Sequence, residues 1–249
     1  MASEMEEIEK NSSVNEPEKL IIDGKTKKLY DLGNGLYKLF FKDDMTGADG
    51  VFDPGANEVG LTVDGAGDAG LRLSVYYFEL LNSAGFNTQF VSADILSKTM
   101  VVKPSQVFGK GCLEVICRFK ALGSFVRRYG ALVKENTPLP GVIEMTIKDD
   151  ASGDPIINQE SLEALGVLQP GEYLQLSNLA KDISGIIKND LAKKGLELCD
   201  IKLEFGRDAN GDIMVIDEFS AGIMRVRENG ESVAPLDLAK KVLGYSNLR

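Results

Sequence analysis

The sequence predicts an α+β fold with antiparallel sheets and flanking helices, and three observations lead to it. Short alternating runs bounded by Gly, Asn or Asp recur through the first hundred residues, the pattern of half-buried strands joined by tight turns. Two longer segments, 71–84 and 176–194, carry apolar residues at helical spacing. Strands and helices do not alternate strictly, which argues against a doubly wound parallel sheet.

In chain order, strands are expected at 20–23, 26–31, 36–42 and 89–92. The helix at 71–84 interrupts them, with Leu73, Tyr76, Tyr77, Leu80 and Leu81 as its apolar stripe. A strand at 100–103 precedes 104–111, where Pro, Ser and two glycines break the pattern. A hinge is placed there, between a smaller strand-rich lobe, 19–108, and a larger α+β lobe, 109–249. Beyond it the expected elements are a strand at 113–119, a short helix at 124–129, a strand at 142–148 and a helix at 158–165. The long amphipathic helix 176–194 ends at Gly195, a residue suited to the left-handed position after a helix. A final helix spans 236–243. Residues 1–18 are acidic and polar, unlike a secretory signal, and read as a disordered tail.

A net charge of −10 opposes a nucleic-acid partner, whose phosphates it would repel. No apolar run approaches the ~20 residues of a membrane span. Cys112, Cys117 and Cys199 show neither metal-site spacing nor an even disulfide set, and read as free thiols in a reducing cytoplasm. The chain has no histidine. Triads built on that residue and the common zinc and haem ligand sets are therefore excluded. Chemistry must run on carboxylates, lysines, arginines, backbone amides and bound ions.

The segment 198–219 carries the most chemistry. Ile201, Leu203 and Phe205 alternate with Asp200, Lys202 and Glu204, so one strand face is apolar and the other charged. Turn formers fill 206–212, and the apolar run 213–216 ends at Asp217-Glu218, completing a β-hairpin. Symmetric pairing about the turn would set Lys202 opposite Asp217 and Glu204 diagonal to it, roughly 7–8 Å away. Two carboxylates about 4 Å apart repel by about 4 kcal/mol at an effective dielectric near 20. A hard divalent cation would relieve that repulsion, and Mg²⁺ takes one or two carboxylates together with phosphate oxygens. The residues alone also admit an ordinary solvated strand face.

Two basic segments point the same way. Gly24-Lys25-Thr26-Lys27 can present amides and ammonium groups to a polyphosphate, although it lacks Walker A spacing. Arg118, Lys120, Arg127 and Arg128 surround Gly123-Ser124 beside an expected helix start. Such a cluster suits phosphate or carboxylate groups, or surface ion pairing. Lys148 and Arg225 could reach the same cleft.

Together these segments resemble the phosphoribosylaminoimidazole-succinocarboxamide synthase (SAICAR synthetase) family over residues 19–243 or so. The motifs, in order, are Gly-Lys-Thr-Lys at 24–27, Phe-Lys-Asp-Asp at 41–44 with Asp49-Gly50, and Glu-Val-Ile-Cys-Arg at 114–118. Gly123-Ser124 with Arg127-Arg128, Lys-Asp-Asp at 148–150, Asp-Ile-Lys-Leu-Glu-Phe-Gly at 200–206 and Asp-Glu-Phe-Ser at 217–220 before Arg225 complete the set.

The resemblance implies a two-lobed, kinase-like or ATP-grasp-like fold with ATP in a cleft between the lobes. It also implies a cytoplasmic ligase, forming homo-oligomers, that joins L-aspartate to carboxyaminoimidazole ribotide with ATP and Mg²⁺. Carried over by position, Gly24, Lys25, Thr26, Lys27 and Lys103 would contact the nucleotide, and Glu204 and Asp217 would hold the metal. Arg118, Ser124 and Arg225 would grip the ribotide phosphate, with Asp49 also lining the substrate pocket. Lys202, Asp200 and Lys148 would be the catalytic set. Three positions depart from the family pattern: Phe119 for Asn, Gly70-Leu71 for Asn-Asn, and Ala221-Gly222 for Pro-Asp. They leave open a different carboxylate and amine pair, or nucleotide binding without turnover.

Overall fold

The computed structural model describes residues 18–56 and 58–244. The expected tail therefore lies, apart from Glu18, outside the described residues. Strands β1 (Lys19–Asp23), β2 (Lys27–Asp31) and β3 (Tyr37–Phe41) form a meander. The chain then builds a small sheet from β4 (Asp44–Ala48), β5 (Val51–Phe52) and β6 (Val59–Thr62) before helix α1 (Ala66–Ser83). With β7 (Phe90–Asp94) and β8 (Thr99–Val102) added, the first sheet has five antiparallel strands in the order β1-β2-β3-β8-β7. Leu39, Phe41, Met100 and Val102 bury against Leu71, Leu73, Tyr77, Phe78 and Leu81 of α1.

The second sheet is built from β9 (Gln106–Val107), β10 (Leu113–Lys120), β11 (Pro138–Ile147), β12 (Glu197–Arg207), β13 (Ile213–Ile216), β14 (Met224–Glu228) and β15 (Glu231–Ser232). Its main order is β11-β10-β12-β14-β15, with β13 and β9 also paired to β12. Helices α2 (Ser124–Tyr129), α3 (Gln159–Ala164), α4 (Glu172–Lys193) and α5 (Pro235–Leu243) complete the fold. Leu176, Ala180, Ile183, Ile187 and Leu191 of α4 recur at helical spacing and are buried, which is the stripe that packs α4 on the sheet. Gly195 takes φ 74°, as expected for the residue that ends this helix.

The structure corrects the sequence reading in several places. Helix α1 begins at Ala66 rather than 71, through small residues that carry no apolar stripe. One of them, Gly67, lies so close to β3 that a Cβ would sit 2.6 Å from the Phe41 carbonyl oxygen. The β4–β6 sheet and strands β14 and β15 were not expected, being short and rich in Gly, Thr and charge. The hinge segment contains β9, which already pairs with β12 of the larger sheet. The hairpin register is also one residue out of step with symmetric pairing, since Glu204 faces Ile216. Strand β13 stops there, and Asp217 adopts φ 70°, leaving the ladder instead of facing Lys202.

The chain just after Asp217-Glu218 is anchored firmly. Phe219 is fully buried, edge-on to Phe78 at 4.9 Å between ring centres. Its N–H donates to Ser74 Oγ at 3.0 Å, and that hydroxyl donates to the Gly70 carbonyl at 2.8 Å. Helix α1 thus fixes the loop that carries the acids. Phe219→Ala should cost about 3–5 kcal/mol in urea unfolding. A loss below about 1 kcal/mol would show that this aromatic contact does not anchor the loop.

Candidate functional site

A cavity of about 520 Å³ opens between the two sheets. The turn Gly24–Lys27 forms one wall, Lys148, Lys202, Glu204 and Asp217 the floor, and Gly70 with Ala221 and Gly222 the far side. The turn is tight: the Gly24 N–H donates to the Lys27 carbonyl at 2.9 Å, and a Cβ on Gly24 would lie 3.1 Å from that oxygen. Lys42 Nζ donates to the Gly24 carbonyl at 2.7 Å. At the mouth, Lys25 pairs with Asp150 at 2.6 Å.

The floor is a set of charges matched across distant elements. Lys27 Nζ lies 3.0 Å from Asp217 and 2.5 Å from Glu218. Lys148 Nζ lies 2.7 Å from Glu204 Oε1, and the Cys112 thiol donates to Glu204 Oε2 at 3.2 Å. Lys202 reaches Glu114 at 2.7 Å rather than any acid of its own hairpin, and Thr146 donates to the other Glu114 oxygen at 2.8 Å. The register explains the placement, since Thr146, Glu114 and Glu204 form one row across β11, β10 and β12. The acids of the hairpin are thus balanced by lysines from other strands, a balance invisible in the hairpin alone.

Burial works against charge at this floor, and the neighbours decide the outcome. Burial opposes the Lys27 ammonium, but Asp217 and Glu218 outweigh it and hold its pKa above the ordinary lysine range. Desolvation likewise opposes the Lys148 ammonium, and Glu204 with Asp217 overcomes it and raises its pKa. Desolvation and the nearby Asp217 charge push Glu204 up. Burial acts the same way on Asp217, but Lys27 and Lys148 pull it below the usual carboxylate range. Two adjacent carboxyls driven apart in this way mark a functional site.

A second network lies on the same sheet. Register places Arg118, Asp200 and Arg225 side by side on β10, β12 and β14. Arg118 is buried and donates to Glu144 at 2.6 Å, to Asp200 at 3.4 Å and to Ser124 Oγ at 3.0 Å. Arg225 donates to Asp200 at 3.0 Å and to Asp53 at 2.9 Å. The structure therefore joins Arg118, Ser124, Asp200 and Arg225, and lines the cavity with Gly24, Lys25, Thr26, Lys27, Lys148, Lys202, Glu204 and Asp217. Arg118, Ser124, Asp200 and Arg225 lie outside the cavity lining, as do Asp49 and Lys103. Asp49 sits exposed at the β4–β5 turn with φ 52°, and Lys103 donates to the Thr88 carbonyl at 3.1 Å. Glu114, Glu218, Cys112 and Asp53 were missed as individual site residues. Of these, Glu114 had a usable signal, in its place on a strand rich in alternating residues.

The donor set fits a hard cation that shares its ligands with phosphate. Glu204 and Asp217, partly buried with side chains 11 % and 23 % exposed, are oxygen ligands of the kind Mg²⁺ takes in that number. Among the described residues no group of three or more cysteine, aspartate or glutamate side chains is placed to hold a metal ion. No described helix is long and apolar enough to cross a membrane.

A family model for SAICAR synthetase matches residues 20–243. The phosphoribosylaminoimidazole-succinocarboxamide synthase of Clostridium tetani is 51 % identical over 225 residues, covering 90 % of this chain and 99 % of that protein. That of Thermotoga maritima is 34 % identical over 223 residues, 89 % and 90 % of the two chains. A solved SAICAR synthetase in complex with ADP superposes with a TM-score of 0.80 at 29 % identity, covering 92 % of this chain and 99 % of that one. Fold, cleft and relatives together define an ATP-dependent carbon–nitrogen ligase. The chain belongs to the SAICAR synthetase family.

Lys27 holds the floor together, so Lys27→Met should strand two buried carboxylates. The expected loss is about 3–5 kcal/mol at neutral pH, measured by chemical unfolding. A variant as stable as the wild type would show that the acids find compensation elsewhere.

Proposed function

We propose that this protein joins L-aspartate to carboxyaminoimidazole ribotide with consumption of ATP, releasing ADP, phosphate and the succinocarboxamide ribotide. One observation carries the reading: Glu204 and Asp217 converge on the floor of a single cavity walled by the Gly24–Lys27 turn. The solved relative with the same fold holds ADP. Identity of 51 % across nearly the whole length of a curated synthase supports the same substrate pair. It speaks against another carboxylate or amine, and against binding without turnover.

In this reading the ribotide carboxylate takes the terminal phosphoryl group of ATP, and the aspartate amine then attacks the activated carbonyl carbon. Phosphate leaves with the former carboxylate oxygen, and the amine gives up a proton. The Gly24–Lys27 amides and the Lys25 ammonium hold the triphosphate. Entering phosphates exchange Lys25 away from Asp150, an exposed pair worth little by itself. Lys148 lies beside the transferred group. Lys202, oriented by Glu114, and Asp200 face the acceptor. Glu204 and Asp217 would hold Mg²⁺, which neutralises charge on the transferring phosphoryl group. Arg225, with Ser124 and Arg118 behind it, receives the ribotide phosphate. Three cysteines that are buried and free support a reducing, cytoplasmic setting.

The protein incubated with ATP, Mg²⁺, aspartate and the ribotide should form ADP and the succinocarboxamide in equal amounts. Glu204→Ala and Asp217→Ala should each lower turnover by about 100-fold or more while the circular dichroism spectrum is kept. Near-normal rates in both would remove the metal assignment, and ADP formation only with another acid would replace the substrate.

A further inference from the structure

Arg225 is held from two directions by carboxylates of different character. Asp200 is buried and binds Nη1 from the neighbouring strand, with its side chain only 5 % exposed. Asp53 binds Nη2 at 2.9 Å from the loop between β5 and β6, and its side chain is 44 % exposed. The Asp53 carboxylate is oriented by its own turn, since the same Oδ1 accepts the Gly55 N–H at 2.9 Å. Two glycines close on the guanidinium: a Cβ at Gly55 would lie 2.4 Å from Nη2, and one at Gly123 2.9 Å. Backbone thus comes within contact distance of this edge of the arginine on both sides, and the acidic group on it comes from the other sheet system. Partial burial disfavours charge on Asp53, but the Gly55 N–H, Arg225 and Arg127 outweigh it and keep the carboxylate ionised.

We propose that Asp53 is a specificity-determining residue of this anion subsite, its carboxylate standing on Arg225 in the place an incoming phosphate must take. The inference rests on the assignment of Arg225 to the ribotide phosphate. Asp200 is the permanent partner and sets the guanidinium plane. Asp53 is the exchangeable one, because its carboxylate is far more exposed than that of Asp200 and a phosphate dianion makes stronger, charge-assisted bonds to the same edge. Ligands without a dianionic group do not displace it. Asp53 therefore discriminates by charge, and some affinity for the correct substrate is lost in the exchange.

The test compares wild type, Asp53→Asn, Asp53→Ser and Arg225→Gln as full-length proteins. Inorganic phosphate and ribose 5-phosphate are the calorimetric probes, and thermal unfolding is recorded in parallel. Both Asp53 variants should bind the two probes about fivefold more tightly than wild type. Their KM for the ribotide should fall by a similar factor while KM for ATP stays unchanged. Equal or weaker binding in both Asp53 variants, with Arg225→Gln losing affinity, would overturn the competitor role and leave the phosphate site standing. Wild-type affinity in Arg225→Gln would overturn the phosphate assignment and the competitor role with it.

Discussion

The cleft floor concentrates like charge away from water, and everything around it is arranged to make that tolerable. Glu204, Asp217 and Glu218 lie together with little exposure. Each is matched by a lysine from a separate part of the chain: Lys27 from the first sheet for the latter two, Lys148 from the end of β11 for Glu204. Desolvating such groups costs about as much as their attraction returns, so the pairs add little net stability. Their effect is geometric. Lys27 cannot meet Asp217 unless the two sheets close on each other, so the charges define the cleft.

Asp217 and Glu218 are held by apolar anchoring rather than by the ladder, whereas Glu204 is paired on both sides within β12. Strand β13 ends before Asp217, and the left-handed turn there is secured by buried Phe219 against α1 and by Gln89 Nε2 donating to the Asp217 carbonyl at 2.8 Å. On this floor Thr146, Glu114 and Glu204 form a row across β11, β10 and β12, and the Lys202 side chain reaches Glu114 from the next row. Further along β12, Asp200 links Arg118 of β10 to Arg225 of β14. Glu204 and the Arg118–Asp200–Arg225 network are thus set on one sheet, which in the proposed reaction would fix phosphoryl donor and acceptor relative to each other.

Much of this was legible in the sequence, and the losses have physical causes. The alternation of 198–205, the α4 stripe ending at Gly195 and the Gly24–Lys27 turn are local patterns, and the structure repeats them. The start of α1 was hidden because glycine and alanine there serve close approach to Phe41 rather than an apolar stripe. The hairpin register slipped by one because the turn 208–212 sets Arg207 opposite Ile213, and turn geometry rather than alternation fixes register. The pairings Lys148–Glu204, Lys202–Glu114 and Arg225–Asp53 join residues far apart in the chain. Only strand order could reveal them. Asp49 and Lys103 sit in recognisable segments, yet the backbone carries both outside the cavity.

The two floor carboxylates are matched by lysines, and the proposed reading has a nucleotide bring a metal between them. A crystal grown with Mn²⁺ and a non-hydrolysable ATP analogue puts this to the test, through the anomalous signal of the metal. The expected peak bridges an oxygen of Glu204, an oxygen of Asp217 and the terminal phosphates, with the Gly24–Lys27 turn on the triphosphate. A nucleotide bound elsewhere, or a metal touching neither carboxylate, would contradict it.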